Sequence, residues 1–513
     1  MWRCVPVNRL LFVEPMQYWL DSACLDDGSG HVLNGRAISL AVEALADRLR
    51  SEKSGAPLAL AGDNSTAWII ADLAAAKAGR ALVPVPGFFT RGQIEHVCAQ
   101  AGITQVLING DIRAVDQVWP GLFGEGAPER GDAPATLPAG TQKITFTSGT
   151  TGQPKGICLT WEQQQLTARS LVERLSALQI KIHLNLLPLA VLLENIAGVH
   201  APLAMGMRVV TPSLSDVGLK GSSEFDARAC LRAIEKHGAQ SIILLPQMLH
   251  AMVGAIQADN TLLSAVRTLK FVAVGGAPTP MAVLDAARRM GLPVYEGYGL
   301  TECASVCCLN GPDADMPGTV GTPLPGLSVG LTEDGEVWVE GRSCAGVLGQ
   351  ATAGTMMAGG TAAHDANDAA PDRQNGSRFL TGDIGRWLEK DGQRFLQIIG
   401  RRKHVLITSF GRNVSPEWPE RLLVDSGLFR QVVVLGDGQA HLRAVMVLAV
   451  ASDRRADIQT MVERANAALP DYAQVRDWCI SEQPFTYANG LATANGRPLR
   501  QRIEHAFADA FKA

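Results

Sequence analysis

Short apolar runs that end in a turn and give way to a helical pattern recur along this chain, and that alternation restricts the fold more than any other feature. Residues 57–61 form one such run, followed by Gly62-Asp63-Asn64 as turn and helix cap. The pattern predicts a helix through Trp68–Ala78 that stops at Gly79, and Ala81–Val85 as the next strand. The same rhythm returns at 104–108, 242–255, 270–274 and 293–295. Strands alternating with helices in this way imply parallel sheets with crossover helices, hence an α/β fold. With 513 residues the chain has room for two to four structural units, and 47% hydrophobic content is ample for large cores. Two stretches break the rhythm. Residues 110–140, rich in Gly, Pro and Ala, predict a loop-rich connection, and residues 343–377 predict a mobile surface insertion. After Arg401 charge density rises and a compact region begins, with strands expected at Val432–Leu435 and Ala444–Val450. The domain boundary is therefore expected near 400–403, giving units 1–400 and 401–513.

Several function classes are disfavoured at this level. The net charge of −4 provides no global basic field for nucleic acid or an anionic membrane. The Arg/Lys clusters at 401–403 and 497–502 read as solvated faces. Ten cysteines are scattered without a CxxC pair. Cys303, Cys307 and Cys308 form the one cluster, and buried reduced thiols are a better reading than zinc, since no His stands at ligand spacing. That usage suits a reducing cytoplasm, the expected location. The run Leu10-Leu11-Phe12-Val13 before Glu14 is short for a signal peptide, and no stretch approaches the ~20 apolar residues of a membrane span. The most apolar region, 184–210, is interrupted by Glu194, Asn195 and His200 and reads as a buried helix-plus-strand.

The densest chemical signal is Ile144-Thr145-Phe146-Thr147-Ser148-Gly149-Thr150-Thr151-Gly152-Gln153-Pro154-Lys155-Gly156. An apolar β run enters a loop of hydroxyls and glycines carrying one lysine. Such a loop can wrap phosphates: glycines permit close backbone approach, amides and hydroxyls donate, and Lys155 supplies charge. The spacing is not that of a Walker loop. The segment resembles the phosphate-binding loop of the adenylate-forming superfamily, which includes acyl-CoA synthetases, peptide-synthetase adenylation domains and luciferases. The other motifs of that family follow in order. Phe271-Val272-Ala273-Val274-Gly275-Gly276-Ala277-Pro278 resembles the strand and turn against the adenine, and Tyr295-Glu296-Gly297-Tyr298-Gly299-Leu300-Thr301-Glu302 resembles the central signature. The resemblance implies that Gly276, Ala277, Pro278 and Gly299 border the nucleotide, that Tyr298 stacks on adenine, that Thr301 touches the α-phosphate and that Glu302 helps hold magnesium. These pairings make chemical sense: an aromatic face for a base, a hydroxyl for a phosphate, a carboxylate for a hard cation. Thr381-Gly382-Asp383 resembles the element whose Asp accepts from the ribose hydroxyls. Gly400-Arg401-Arg402-Lys403 resembles the next, with Arg401 at the nucleotide and Lys403 at the hinge of a rotating C-terminal domain. Thr408–Glu417 resembles the loop lining a pantetheine tunnel, with Phe410 where glycine is common.

The resemblance runs from about residue 35 to 505. It implies a large N-terminal domain of parallel-sheet α/β subdomains plus a small barrel-like part, and a small mobile C-terminal α+β domain. One departure concerns catalysis. The family's terminal lysine, a cation between the attacking carboxylate and the phosphates, is replaced in Thr493-Ala494-Asn495-Gly496-Arg497 by Arg497, which keeps the charge and changes its geometry. The expected activity is activation of a carboxylic acid by ATP with Mg2+, then transfer to a pantetheine thiol of coenzyme A or an acyl carrier protein. The segment Leu187-Pro188-Leu189-Ala190-Val191-Leu192-Leu193-Glu194 is similar to long-chain acyl-CoA synthetases, which usually carry His at Val191, although a helix core explains the run equally well. The small-molecule acid is expected to be apolar, fatty or aromatic. An amide-forming or adenylate-only relative, or a nucleotide- or acyl-binding protein with degenerate chemistry, are the alternatives.

Overall fold

The computed structural model describes residues 22–52, 55–122, 137–147, 155–221, 224–342, 344–349, 378–402, 406–407, 413–437, 439, 441–449, 455–493 and 496–511. Among these, the short apolar runs enter two large sheets. Six strands of the first are mutually parallel, in the order Val294–Leu300, Phe271–Val274, Ser241–Leu244, Ile182–Leu184, Arg208–Val210, Cys24–Asp26. Antiparallel strands close its edges, Ser305–Leu309 and Thr322–Pro323 on one side and Val32–Asn34 on the other. Crossover helices begin where local chemistry starts them. Asp226 accepts from the Arg228 and Ala229 N–H groups to open Ala227–His237, and Pro246 occupies the first turn of Pro246–Ala258. Their apolar faces join Ile242, Leu244 and Val272 in one core.

The second sheet runs Gly346–Val347, Lys155–Thr160, Thr141–Thr147, Leu82–Pro84, Leu58–Ala61, Gln105–Ile108, Asp111–Ala114. Its expected helix is Thr66–Lys77, beginning two residues early because Ser65 Oγ accepts from the Trp68 N–H. Leu25 and Val209 from the first sheet share a core with Leu58, Leu82, Trp68 and Ile69 from the second, which binds the two sheets together. That layer also buries charge. Lys143 Nζ lies 2.8 Å from Asp72 Oδ1 and donates to Asn195 Oδ1 at 2.5 Å, and His200 Nε2 is 3.0 Å from Asp72 Oδ2. Burial works to raise the Asp72 carboxyl, but Lys143 and His200 outweigh it and hold it well below the usual range.

The 184–210 region is buried as expected, with a π-helical turn at Ile196–His200 between the short helices Leu192–Asn195 and Ala201–Ala204. The described part of 110–140 is more regular than its composition predicts. Asn109 and Gly110 take φ of 51° and 82°, a tight hairpin turn that returns Asp111–Ala114 antiparallel to Gln105–Ile108. Nearly all of 343–377 lies outside the described residues.

The small barrel-like part is built on an antiparallel sheet, Ser328–Leu331, Glu336–Glu340, Phe379–Lys390, Gln393–Arg401. Beyond it, Phe429–Leu435, Leu442–Leu448 and Val475–Ile480 form a three-stranded sheet with helices Glu417–Asp425, Arg455–Ala467 and Arg500–Ala506. Its apolar clusters draw only on residues from 406 onward. Cys303, Cys307 and Cys308 are fully buried and unpaired, matching the thiol reading. No helix among the described residues is long and apolar enough to cross a membrane.

Candidate active site

Ligands of open α/β sheets gather at the carboxyl ends of the parallel strands, and two of the expected motifs lie there. Strand Phe271–Val274 ends in Gly275-Gly276-Ala277-Pro278, whose last three residues are exposed. Gly276 has φ +82°, and a Cβ on Gly275 would come within 3.2 Å of the Gly297 carbonyl oxygen. The neighbouring strand Val294–Leu300 has a bulge between Tyr298 and Gly299. A Cβ at Gly299 would lie 1.8 Å from the Ser305 carbonyl oxygen, so only glycine lets the two strands close at that point. Thr301–Cys303 then forms a single 3-10 turn, followed by Ala304 and Ser305 at φ 54° and 88°. Two consecutive non-glycine residues in the left-handed region store about 1–3 kcal/mol each, strain that concentrates at functional sites.

Charged groups converge on this edge. Asp383 is almost fully buried; its Oδ2 accepts from the Tyr298 hydroxyl at 2.6 Å and its Oδ1 lies 2.7 Å from Arg401 Nε. Register explains the pairing, since Asp383 and Arg401 are partners across the hairpin of strands Phe379–Lys390 and Gln393–Arg401. Burial, reinforced by Asp383, pushes the Tyr298 phenol well above its ordinary value, so it stays a neutral donor. Burial likewise raises the Glu302 carboxyl, opposed by a backbone N–H and by the nearby cations Arg401 and Lys155. Lys155 and Thr147 are partners at the open ends of the antiparallel strands Thr141–Thr147 and Lys155–Thr160. The two residues that flank the hydroxyl- and glycine-rich stretch are thus fixed opposite one another, with Lys155 within electrostatic range of Glu302.

Arg497 reaches the same place from the far end of the chain. The Gly496 N–H donates to the Thr493 carbonyl at 2.8 Å and the Arg497 N–H to Thr493 Oγ1 at 3.1 Å, a tight turn with Gly496 at φ +75°. Its side chain keeps solvent contact but has protein on several sides. Partial burial, then the like charge of Arg401, lowers its guanidinium from its ordinary value, while Glu417 and Asp383 oppose the shift. The turn thus leaves the Arg497 side chain exposed and within electrostatic range of Arg401, Glu417 and Asp383.

The structure sets Gly276, Ala277 and Pro278 beside the strand that carries Tyr298, Gly299, Thr301 and Glu302, joins Tyr298 to Asp383 and Asp383 to Arg401, pairs Thr147 with Lys155, and leaves Arg497 within electrostatic range of Asp383 and Arg401. Ser148, Gly149, Thr150, Thr151, Lys403 and residues 408–412 lie outside the described residues. Two supporting carboxylates escaped the sequence reading. Buried Glu336 accepts from the Gly382 N–H at 3.0 Å and pairs with Arg402 at 2.5 Å, holding the Asp383 turn. Glu296, inside the signature segment, accepts from the Gly318 N–H at 2.7 Å, and burial raises its carboxyl to about 7. Glu296 stands inside the quoted signature segment, whereas no local signal marks Glu336.

Two family models match the chain. Residues 14–357 match the AMP-binding enzyme model and residues 403–513 the AMP-binding enzyme C-terminal domain. Among curated relatives, the long-chain-fatty-acid–CoA ligase FadD15 of Mycobacterium bovis is 29% identical over 262 residues, 47% of this chain, and the chain spans 41% of that protein's length. The 2-succinylbenzoate–CoA ligase of Listeria monocytogenes is 26% identical over 470 residues, covering 89% of this chain and 92% of that one. Among solved structures, Bacillus subtilis o-succinylbenzoate CoA synthetase with its acyl-adenylate OSB-AMP aligns with TM-score 0.70 at 20% identity, over 94% of this chain and 95% of that one. Anthranilate CoA ligase with anthranoyl-AMP aligns with TM-score 0.72 at 17% identity, over 96% and 95%. The motifs, the two-sheet fold and the matched span agree: this chain belongs to the AMP-binding enzyme family, the adenylate-forming superfamily.

Proposed function

We propose that this protein is an AMP-forming acid–thiol ligase. A carboxylate oxygen attacks the α-phosphorus of ATP and pyrophosphate leaves. A pantetheine thiol then attacks the acyl carbonyl of the adenylate, and AMP leaves. The observation that carries this reading is the Tyr298–Asp383–Arg401 cluster at the end of strand Val294–Leu300, with the charges of Glu302 and Arg497 within electrostatic range of it and Lys155 within range of Glu302.

In this reading Asp383 receives the ribose hydroxyls and Tyr298 packs on the base beside Gly276, Ala277 and Pro278. Thr147, Lys155 and the loop 148–154 hold the phosphates with Thr301. Glu302, a carboxylate within electrostatic range of Lys155, would supply an oxygen to magnesium bound with the phosphates. The ion, when bound, neutralises phosphate charge. Arg497 brings a cation between two anions that must meet, carboxylate and α-phosphate, and so stabilises the charge of the transition state. Lys403 serves as the hinge, in a C-terminal unit beginning near 401.

The acid is aromatic or fatty: relatives are named for 2-succinylbenzoate, anthranilate and long-chain fatty acids. The acceptor is coenzyme A, with a carrier-protein pantetheine as the other thiol source. Acid-dependent ATP–pyrophosphate exchange across fatty, aryl and amino acids tests the proposal, followed by thioester formation with coenzyme A or a loaded carrier. Exchange with an apolar acid is expected; silence across the whole panel would leave a nucleotide-binding protein without the chemistry.

A further inference from the structure

The helix Met281–Arg289 starts three residues after the exposed turn at Pro278, and its N-cap, Pro280, offers no side-chain acceptor. Its first N–H is nonetheless satisfied from a remote part of the sequence. Met281 N–H donates to Asp425 Oδ1 at 2.9 Å. Asp425 is the last residue of helix Glu417–Asp425, which packs into the separate C-terminal core through Leu423. One turn earlier on the same helix, Arg421 Nε lies 3.8 Å from Asp425 Oδ2. The Arg421 guanidinium also covers Gly318, where a Cβ would lie 3.1 Å from it and 2.9 Å from the Met281 sulfur. Gly318 is the residue whose N–H Glu296 accepts. One foothold of this helix is thus the helix that follows strand Phe271–Val274, and the other is bonded to Glu296 within strand Val294–Leu300.

The middle of the same helix is tied to Arg497. Glu420 Oε1 is 2.5 Å from Arg500 Nη1 and accepts the Val434 N–H at 2.7 Å. Arg500 opens helix Arg500–Ala506, three residues beyond Arg497. The helix start lies against the Asp383–Arg401 hairpin, where Ser415 Oγ donates to the Ile399 carbonyl at 3.0 Å. One short rigid element therefore connects the base-binding edge to the turn that presents the catalytic cation.

We infer that Asp425, assisted by Arg421, is a positioning residue: it caps helix Met281–Arg289 across the two units and so fixes helix Glu417–Asp425 and, through Glu420–Arg500, the turn that presents Arg497. The inference rests on the proposed adenylation activity only for its kinetic effect. The cap itself is a contact whose loss is measurable without turnover. An Asn at 425 keeps an oxygen acceptor and caps about as well as Asp, whereas Ala removes the acceptor.

The test uses the full chain as wild type, Asp425→Asn and Asp425→Ala. In acid-dependent pyrophosphate exchange, Asp425→Ala is expected to lower kcat by about tenfold or more with little change in KM for ATP, because the cation is displaced rather than removed. Asp425→Asn should retain most of the rate, and thiolysis of a supplied acyl-adenylate should be spared. Hydrogen exchange read by mass spectrometry provides the turnover-independent arm: Asp425→Ala should speed exchange in peptides spanning 279–285 and 491–500 together. Faster exchange in the first peptide alone, or an Asp425→Ala variant with wild-type exchange in both, overturns the coupling. Equal loss of both half-reactions in the Ala and Asn variants, with a lowered thermal midpoint, would make Asp425 merely structural. A wild type silent in pyrophosphate exchange refutes the adenylation reading, while the hydrogen-exchange arm still decides the positioning role.

Discussion

Arg497 and Glu296 show how one side chain can set the conditions under which the site works. Arginine at 497 is a planar, always-charged fork whose donors match phosphate and carboxylate oxygens, whereas an ammonium is a compact point charge. Its place within electrostatic range of Asp383 and Arg401 is compatible with either geometry, because the Thr493–Arg497 turn sets the backbone and leaves the tip partly in solvent. Arg497→Ala is therefore expected to lower acid-dependent pyrophosphate exchange by about 10²–10³-fold, while Arg497→Lys should lose far less. An unchanged rate in the alanine variant would remove Arg497 from catalysis. Glu296 makes a prediction about pH. Burial lifts its carboxyl from 4.5 to about 7, against the Gly318 N–H and the cations Arg421 and Arg288. A raised carboxyl stabilises the fold most when protonated in both states, below about 4.5, and that stabilisation is lost as pH rises through about 7. Over that window stability should fall by up to roughly 3 kcal/mol relative to Glu296→Gln, measured by denaturant unfolding at several pH values. Parallel pH profiles for the two proteins would exclude the effect.

The strand Thr141–Thr147 leads into the segment proposed to hold the phosphates, and a buried ion pair anchors it. Lys143 meets Asp72 of helix Thr66–Lys77, and Asn195 and His200 of the π-helical region complete the shell. Removing one partner of a buried pair strands the other's charge, so Lys143→Met should destabilise by about 3–5 kcal/mol. The double variant Asp72→Leu/Lys143→Met should recover much of that loss in chemical denaturation. If the double variant is as unstable as the single one, packing and not charge governs the site. Little of this cluster was legible in the sequence, because Lys143 sits beside Gln142 in a strand of mixed polarity and its partners lie 71 and 52 residues away along the chain. Local chemistry was more legible. The runs at 57–61 and 270–274 became strands because fully apolar tetrads bounded by turns have few other stable uses, and Gly79 followed the helix end as expected. The hairpin at Asn109-Gly110 was also written locally, yet the Gly- and Pro-rich composition around it masked the dipeptide's strong preference for a tight turn. The candidate site was legible as motifs, whereas Glu336 and Asp425 were not, since their partners are set by tertiary folding alone.

At the level of the whole molecule, apolar clusters separate cleanly. Those of the two large sheets and the four-stranded sheet draw on residues up to Ile398, and those of the C-terminal sheet on residues from Leu406. Between them pass polar contacts such as Met281–Asp425 and Ser415–Ile399. A chain ending at 402 should therefore keep a cooperative thermal transition but lose pyrophosphate exchange by about 10²-fold or more, since Arg497 is gone. Failure of that truncation to fold would place the boundary elsewhere. The hairpin that pairs Asp383 with Arg401 has a separate consequence for how such a chain can change over time. Its tip, Asp391 and Gly392 at φ 52° and 74°, is a two-residue turn, and one bulge beside Ile384 resets the ladder before the two functional residues meet. Counting outward from that turn works like a ruler: each side chain's face is decided by its distance from the tip. A single insertion or deletion anywhere in the arms would turn Asp383 away from Arg401, while many substitutions would leave them facing. Among chains that use this arrangement, the length of the hairpin should stay constant even where its composition drifts.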